Sequence, residues 1–117
     1  MAANLPPKEQ QKIVEGFKVL RENQQVILAE IRRYTHELRE VKSVLAALGR
    51  WDNTSRKFYY RCVDALLEYD GPSMEKKLKE VIVELEEKIK EGEENLKLKA
   101  VELRDYTEKH KIRFVPQ

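Results

Sequence analysis

RKFYYRCVDALLEYD, residues 56–70, holds four of the chain's eight Phe and Tyr residues and its only cysteine, Cys62. Chain breakers bound it, with Asp52, Asn53, Thr54 and Ser55 before it and Gly71 and Pro72 directly after Asp70. Between those limits the residues suit two short strands. A turn centred on Asp64 and Ala65 would pair Val63 with Leu66, Cys62 with Leu67, Arg61 with Glu68 and Tyr60 with Tyr69. Because successive strand residues point to opposite faces, Phe58, Tyr60, Cys62, Leu67 and Tyr69 then share one apolar face. Tyr59, Arg61, Val63, Leu66, Glu68 and Asp70 share the other, where Arg61 and Glu68 would form a cross-strand ion pair. A lone two-stranded hairpin is marginal in water, and nothing else in the chain reads as strand, so the sheet is expected to be completed by other chains. The competing reading makes the block a local aromatic cap, with Trp51, over the root of the flanking helices.

On either side the chain changes character. Within residues 8–48, Ile13, Phe17, Leu20, Ile27, Ile31, Tyr34, Leu38, Val41, Leu45 and Leu48 follow intervals of four and three, with Gln24 at the missing step. That 3.5-residue period is a coiled-coil seam rather than the broader stripe of a globular helix. Pro6 and Pro7 can precede or open this helix, and Gly49 can close it in the left-handed conformation. A second helix is predicted over about 74–110, with Ser73 as N-cap. Its seam runs Leu78, Ile82, Leu85, Ile89, Gly92, Leu96, Lys99, Leu103, Tyr106 and His110, with Gly92 and Lys99 as defects. At about 1.5 Å per residue the helices would be roughly 62 and 55 Å long, matched for antiparallel pairing. Folding back about the central block sets Leu48 near Leu78, Tyr34 near Gly92 and Gln24 near Lys99. The large Tyr34 ring would then fill the space over Gly92, and Gln24 with Lys99 would form one register-fixing polar layer. The predicted fold is mainly α, an antiparallel two-helix coiled coil with one β-hairpin (about 56–70) between the helices. It forms a single domain over 1–117 with a flexible tail at 111–117.

The composition narrows function mostly by exclusion. Charged residues make up 38% of the chain, yet 23 basic and 21 acidic side chains leave a net charge of only +2. No strong global field is available to attract nucleic acid or an anionic membrane. Residues 7–50 carry nine basic and six acidic side chains, interspersed rather than gathered into a dense basic reading region. A single cysteine precludes an internal disulfide or a thiolate zinc cluster and fits a reducing, cytosolic setting. No apolar run approaches the roughly 18 residues of a membrane span, and MAANLPPKEQQ lacks a signal-peptide core. The four glycines form no phosphate-cradling loop. His36 and His110 lack partner spacing for a metal or a nucleophile. The acidic run Glu84, Glu86, Glu87, Glu91, Glu93 and Glu94 is helical, whereas a calcium site takes its ligands from a loop. No enzymatic activity, metal or cofactor is expected.

A long helix, one hairpin and a second long helix, in that order, resembles the beta class of prefoldin subunits. RKFYYRCVDALLEYD is similar to that family's hairpin segment, and YTEKHKIRF is similar to the Glu-Lys-His, Ile-Arg ending found there. The resemblance covers nearly the whole chain. One departure stands out: the family commonly has Gly-Gly at the hairpin turn, where this chain has Asp64 and Ala65, and Ala suits the positive φ of a type I′ turn poorly.

The resemblance implies a chaperone subunit in a hexamer of two alpha-class and four beta-class subunits. The hairpins would build a shared double barrel, and the coiled coils would hang from it. It further implies capture of unfolded proteins such as actin and tubulin, and their delivery to the cytosolic group II chaperonin without ATP hydrolysis. Clients would be held at the free tips, where the candidates are Leu5, Ile13, Val14, Phe17, Tyr106, Ile112, Phe114 and Val115. Ile13, Phe17 and Tyr106 also occupy seam positions and so have a core role to fill, whereas Leu5, Ile112, Phe114 and Val115 lie outside the seam. Phe58, Tyr60, Cys62, Leu67 and Tyr69 are the oligomerisation candidates. The alternative from another class is a structural coiled-coil adaptor that self-associates through its hairpin. That reading gives no reason for apolar side chains at an exposed terminus.

Overall fold

The structure is a computed structural model that describes residues 5–50 and 56–113. Its elements are helix α1 (Pro7–Leu48), strands β1 (Phe58–Cys62) and β2 (Ala65–Tyr69), and helix α2 (Gly71–Lys109). The fold class expected from sequence is therefore the one observed: two long helices with an antiparallel hairpin between them. Trp51 and the Asp52–Ser55 breakers lie outside the described residues.

Local chemistry explains the helix ends, and two of them differ from expectation. At the start of α1 the Pro6 carbonyl accepts from the Glu9 and Gln10 amides at 3.0 and 3.1 Å, while the Gln10 side chain donates to the Leu5 carbonyl at 2.8 Å. At its end Gly49 does not adopt a left-handed conformation, since no glycine has positive φ. Instead the last turn tightens, with Arg50 N donating to the Ala47 carbonyl at 3.0 Å.

Helix α2 begins sooner than Ser73 would allow. Asp70 is the N-cap: its carboxylate accepts from the Ser73 amide at 2.8 Å, and its carbonyl accepts from the Met74 amide at 2.9 Å. Asp70 wins over Ser73 because it leaves Pro72 in the first turn, where its missing N–H costs nothing. The Ser73 amide, and then its hydroxyl, hold the Asp70 carboxyl below its usual range. The far end of α2 closes on Lys111, whose φ is 53°. The Ile112 amide donates to the Thr107 carbonyl at 2.9 Å and the Lys111 amide to the Glu108 carbonyl at 3.3 Å. This is a Schellman closure with lysine in the position glycine usually takes.

The chain divides into two compact units. One comprises residues 32–90 and the other comprises residues 1–31 with 91–117. In the first, Leu48 (2% exposed), Met74 and Leu78 form the core, and Val41, Leu45, Phe58, Tyr60 and Tyr69 pack against it. In the second, the helical segments run antiparallel, with Gly92 against Ile31 and Gly16 against Tyr106. Every seam position read from the sequence is buried or half-buried, including Gln24, Gly92 and Lys99.

At Gly92, however, the partner differs by one seam step. Gly92 faces Ile31, whose Cγ1 would lie 2.8 Å from an added Cβ, and not Tyr34. Tyr34 instead sits between the cations of Arg33 and Lys88, at 4.9 and 5.4 Å from its ring centre. In the unit of residues 32–90 Leu48 does meet Leu78, as expected, and Met74 joins them. Gln24 and Lys99 are both half-buried, and the Lys99 ammonium reaches Glu102 along its own helix at 3.1 Å.

Candidate functional sites: the hairpin and the helix tip

The hairpin turns on Val63 and Asp64, one residue earlier than expected. It pairs Phe58 with Tyr69, Tyr59 with Glu68, Tyr60 with Leu67, Arg61 with Leu66 and Cys62 with Ala65. The shift alters every pair yet preserves the faces, because it moves the pairing by an even number of residues. Phe58, Tyr60, Cys62, Leu67 and Tyr69 still share one face, now with Ala65. The expected Arg61–Glu68 pair is replaced: Glu68 takes Lys57 at 3.4 Å and the Tyr59 hydroxyl at 3.4 Å, while Arg61 Nε donates to the Val63 carbonyl. Of the two loop residues only Val63 has positive φ, at 55°, which suits a type II′ turn and sits poorly with a β-branched side chain.

The apolar face is divided along its length. Near the helices Phe58, Tyr60 and Tyr69 are half-buried against Leu48, Met74 and Leu78. Lys77 lies over the Tyr60 ring at 5.2 Å. The helices thus cover the part of the face nearest them, as the cap reading expected, and leave the turn end uncovered. Near the turn, Cys62, Ala65 and Leu67 are exposed on that face, and Tyr59, Val63 and Leu66 are exposed on the other. The described residues hold no further strand, so both hairpin edges are open. The register leaves the amides of Tyr59 and Arg61 on one edge, and of Leu66 and Glu68 on the other, pointing outward. A sheet with two open edges and apolar side chains on both faces is a template for strand addition.

The tip is built from the first turns of α1 and the last of α2. Ile13 is buried, Leu5, Phe17, Tyr106 and Ile112 are half-buried, and Val14 is exposed. Phe114 and Val115 lie outside the described residues. The Tyr106 hydroxyl donates to the Ile13 carbonyl at 2.7 Å, and its ring lies against His110 with centroids 4.4 Å apart. Gly16 makes this possible, since a Cβ there would collide with the Tyr106 hydroxyl and approach its Cζ to 3.0 Å. Sequence reading missed the Gly16–Tyr106 contact. It also missed Val19, Leu98 and Val101, exposed off-seam apolar residues of this same unit. Their signal was present as apolar residues outside the four-three alternation.

Among the described residues no group of His, Cys, Asp or Glu is arranged to hold a metal ion, and no helix is long and apolar enough to cross a membrane. What the geometry offers is surface for association. The family model of prefoldin subunits matches the chain over residues 11–117. The chain belongs to the prefoldin family. It is a prefoldin-type chaperone subunit, and proteins of this family are not enzymes. Membership also fits a hairpin with open edges, since prefoldin subunits assemble with one another.

Proposed function

We propose that this chain is a beta-class subunit of the hexameric prefoldin co-chaperone, most like prefoldin subunit 2. In this reading its partners are two alpha-class and further beta-class subunits. The complex captures unfolded proteins such as actin and tubulin at its helix tips and delivers them to the group II chaperonin in the cytosol, without ATP. The observation that carries the proposal is the hairpin, a single pair of strands between the helices with open edges and exposed apolar residues on both faces at the turn. Single-hairpin construction fits the beta class, and the ending YTEKHKIRF fits subunit 2. Oligomerisation is assigned to Leu67 and Cys62 on one face of the hairpin, with Phe58, Tyr60 and Tyr69 anchoring that face to the helices. Client contact is assigned to Leu5, Ile13, Val14, Phe17, Tyr106, Ile112, Phe114 and Val115.

The test is mass in solution by light scattering, for the chain alone and after co-expression with alpha-class prefoldin subunits. A discrete heterohexamer that suppresses aggregation of a denatured client is expected. A stable homo-oligomer that ignores the alpha subunits would favour the structural adaptor. Removing residues 111–117 from the assembled complex should reduce client protection and leave its mass otherwise unchanged.

A further inference from the structure

The chain's small net charge conceals an uneven distribution. Residues 7–21 and 104–113 together carry eight Lys and Arg against four Asp and Glu, a local excess of four positive charges. The remainder of the chain therefore carries an excess of two negative charges. These tip segments belong to one unit. Their cations are exposed, and Lys8, Lys12, Lys18, Arg21, Lys109 and Arg113 have no carboxylate within ion-pair distance among the described residues. They stand among the exposed Val14 and the half-buried Phe17 and Ile112. Elsewhere exposed ions do find partners, as in Lys57–Glu68 and Lys79–Glu75.

From this we infer that the tip selects, among non-native polypeptides, segments in which Asp and Glu flank apolar side chains. The inference rests on the client-capture reading and adds the chemical class of the client. Apolar contact with Val14, Phe17 and Ile112 would hold such a segment, while the unpaired cations receive its carboxylates. Exposed ion pairs add little affinity each, so the charge acts mainly on encounter and choice of partner, and it weakens with salt. A polyanion without apolar groups, such as nucleic acid, would leave the apolar residues uncovered. The interspersed acids would also repel an unbroken run of phosphates.

The experiment uses the assembled complex and two permanently unfolded model polypeptides of equal length and apolar content, one rich in Asp and Glu and one rich in Lys. A photo-crosslinker replacing Val14 reports capture at this tip. The complex containing Lys12→Gln, Lys18→Gln, Lys109→Gln and Arg113→Gln is compared with the unsubstituted one. Capture of the acidic chain should exceed that of the basic chain by about fivefold or more at low ionic strength. The preference should vanish in the substituted complex and in high salt. Equal capture of both chains, or a preference that survives the four substitutions, would overturn the inference and leave client capture standing. Capture of neither chain would remove client capture at this tip, and the inference with it. Displacement of the acidic chain by single-stranded nucleic acid at equal charge concentration would show a general polyanion surface and also overturn the inference.

Discussion

Replacing Gly16 with Ala should destabilise the tip even though alanine is the better helix former. In a helix interior the change normally gains about 1 kcal/mol. Here the new Cβ would occupy the position of the Tyr106 hydroxyl and press on its ring carbon at 3.0 Å. The phenol must withdraw, losing its 2.7 Å bond to the Ile13 carbonyl. That bond contributes about 1 kcal/mol, and the crowding of a packed seam costs about 1–3 kcal/mol more. The net expectation for Gly16→Ala is a loss of about 2 kcal/mol. Tyr106→Phe alone should cost about 1 kcal/mol, the hydrogen bond only. The double variant should be more stable than Gly16→Ala alone, because the methyl group enters the space vacated by the hydroxyl. The two changes would therefore couple by about 2 kcal/mol instead of adding. Amide exchange at residues 13–20 and 103–110 is the suitable assay, as it reports local opening of this unit independently of the other. A Gly16→Ala variant more stable than the parent by the full propensity gain, with an additive double variant, would refute the contact.

Three further expectations follow from particular residues. Val63→Gly should stabilise the hairpin by about 1 kcal/mol, since relief of a positive φ on a β-branched residue outweighs glycine's extra chain entropy and the side chain is 83% exposed; faster hairpin amide exchange in the variant would contradict this. Gly92→Leu should cost about 1–3 kcal/mol through its collision with Ile31, and Ile31→Ala in the same chain should restore much of the loss in urea unfolding. Asp70 has a carboxyl held below its usual value of 3.8 by the Ser73 amide. Its contribution is therefore complete above that value and is lost as pH falls through the lower folded value. Protection of the Ser73 amide should accordingly collapse in acid in the parent and persist in Asp70→Asn, which keeps an acceptor without a titrating group.

The parts legible in the sequence were those written in one dimension. The four-three alternation located the half-buried stripe of both helices, down to Gln24, Gly92 and Lys99, because burial of a seam depends only on spacing along the chain. Alternation likewise sorted the hairpin faces correctly although the turn lay one residue earlier. Matters decided by competition between neighbours were not legible. Asp70 and Ser73 are both good caps, and only the placement of Pro72 in the first turn separates them. Ile31 and Tyr34 are adjacent seam positions, and spacing alone did not show that Gly92 meets Ile31. The Gly16–Tyr106 contact depends on an absent side chain meeting a hydroxyl from the other helix, for which spacing gives no sign. Cover of Phe58, Tyr60 and Tyr69 by the chain's own helices was also hidden, because an aromatic strand face reads the same whichever chain covers it. At the tip, the sequence supplied apolar candidates but not their depth: Ile13 is buried while Val14 beside it is open.

The central claim is that the hairpin of this prefoldin-family chain is an unfinished sheet completed by strands of other subunits. Hydrogen exchange at the outward amides of Tyr59, Arg61, Leu66 and Glu68 tests it most directly, measured in the chain alone and after assembly with alpha-class subunits. Shared strands predict rapid exchange at these four positions in the free chain and strong protection in the complex, with smaller change at the inward amides of Phe58, Tyr60 and Leu67. A complex that forms while the outward amides keep exchanging rapidly would contradict the account and place assembly on the helices.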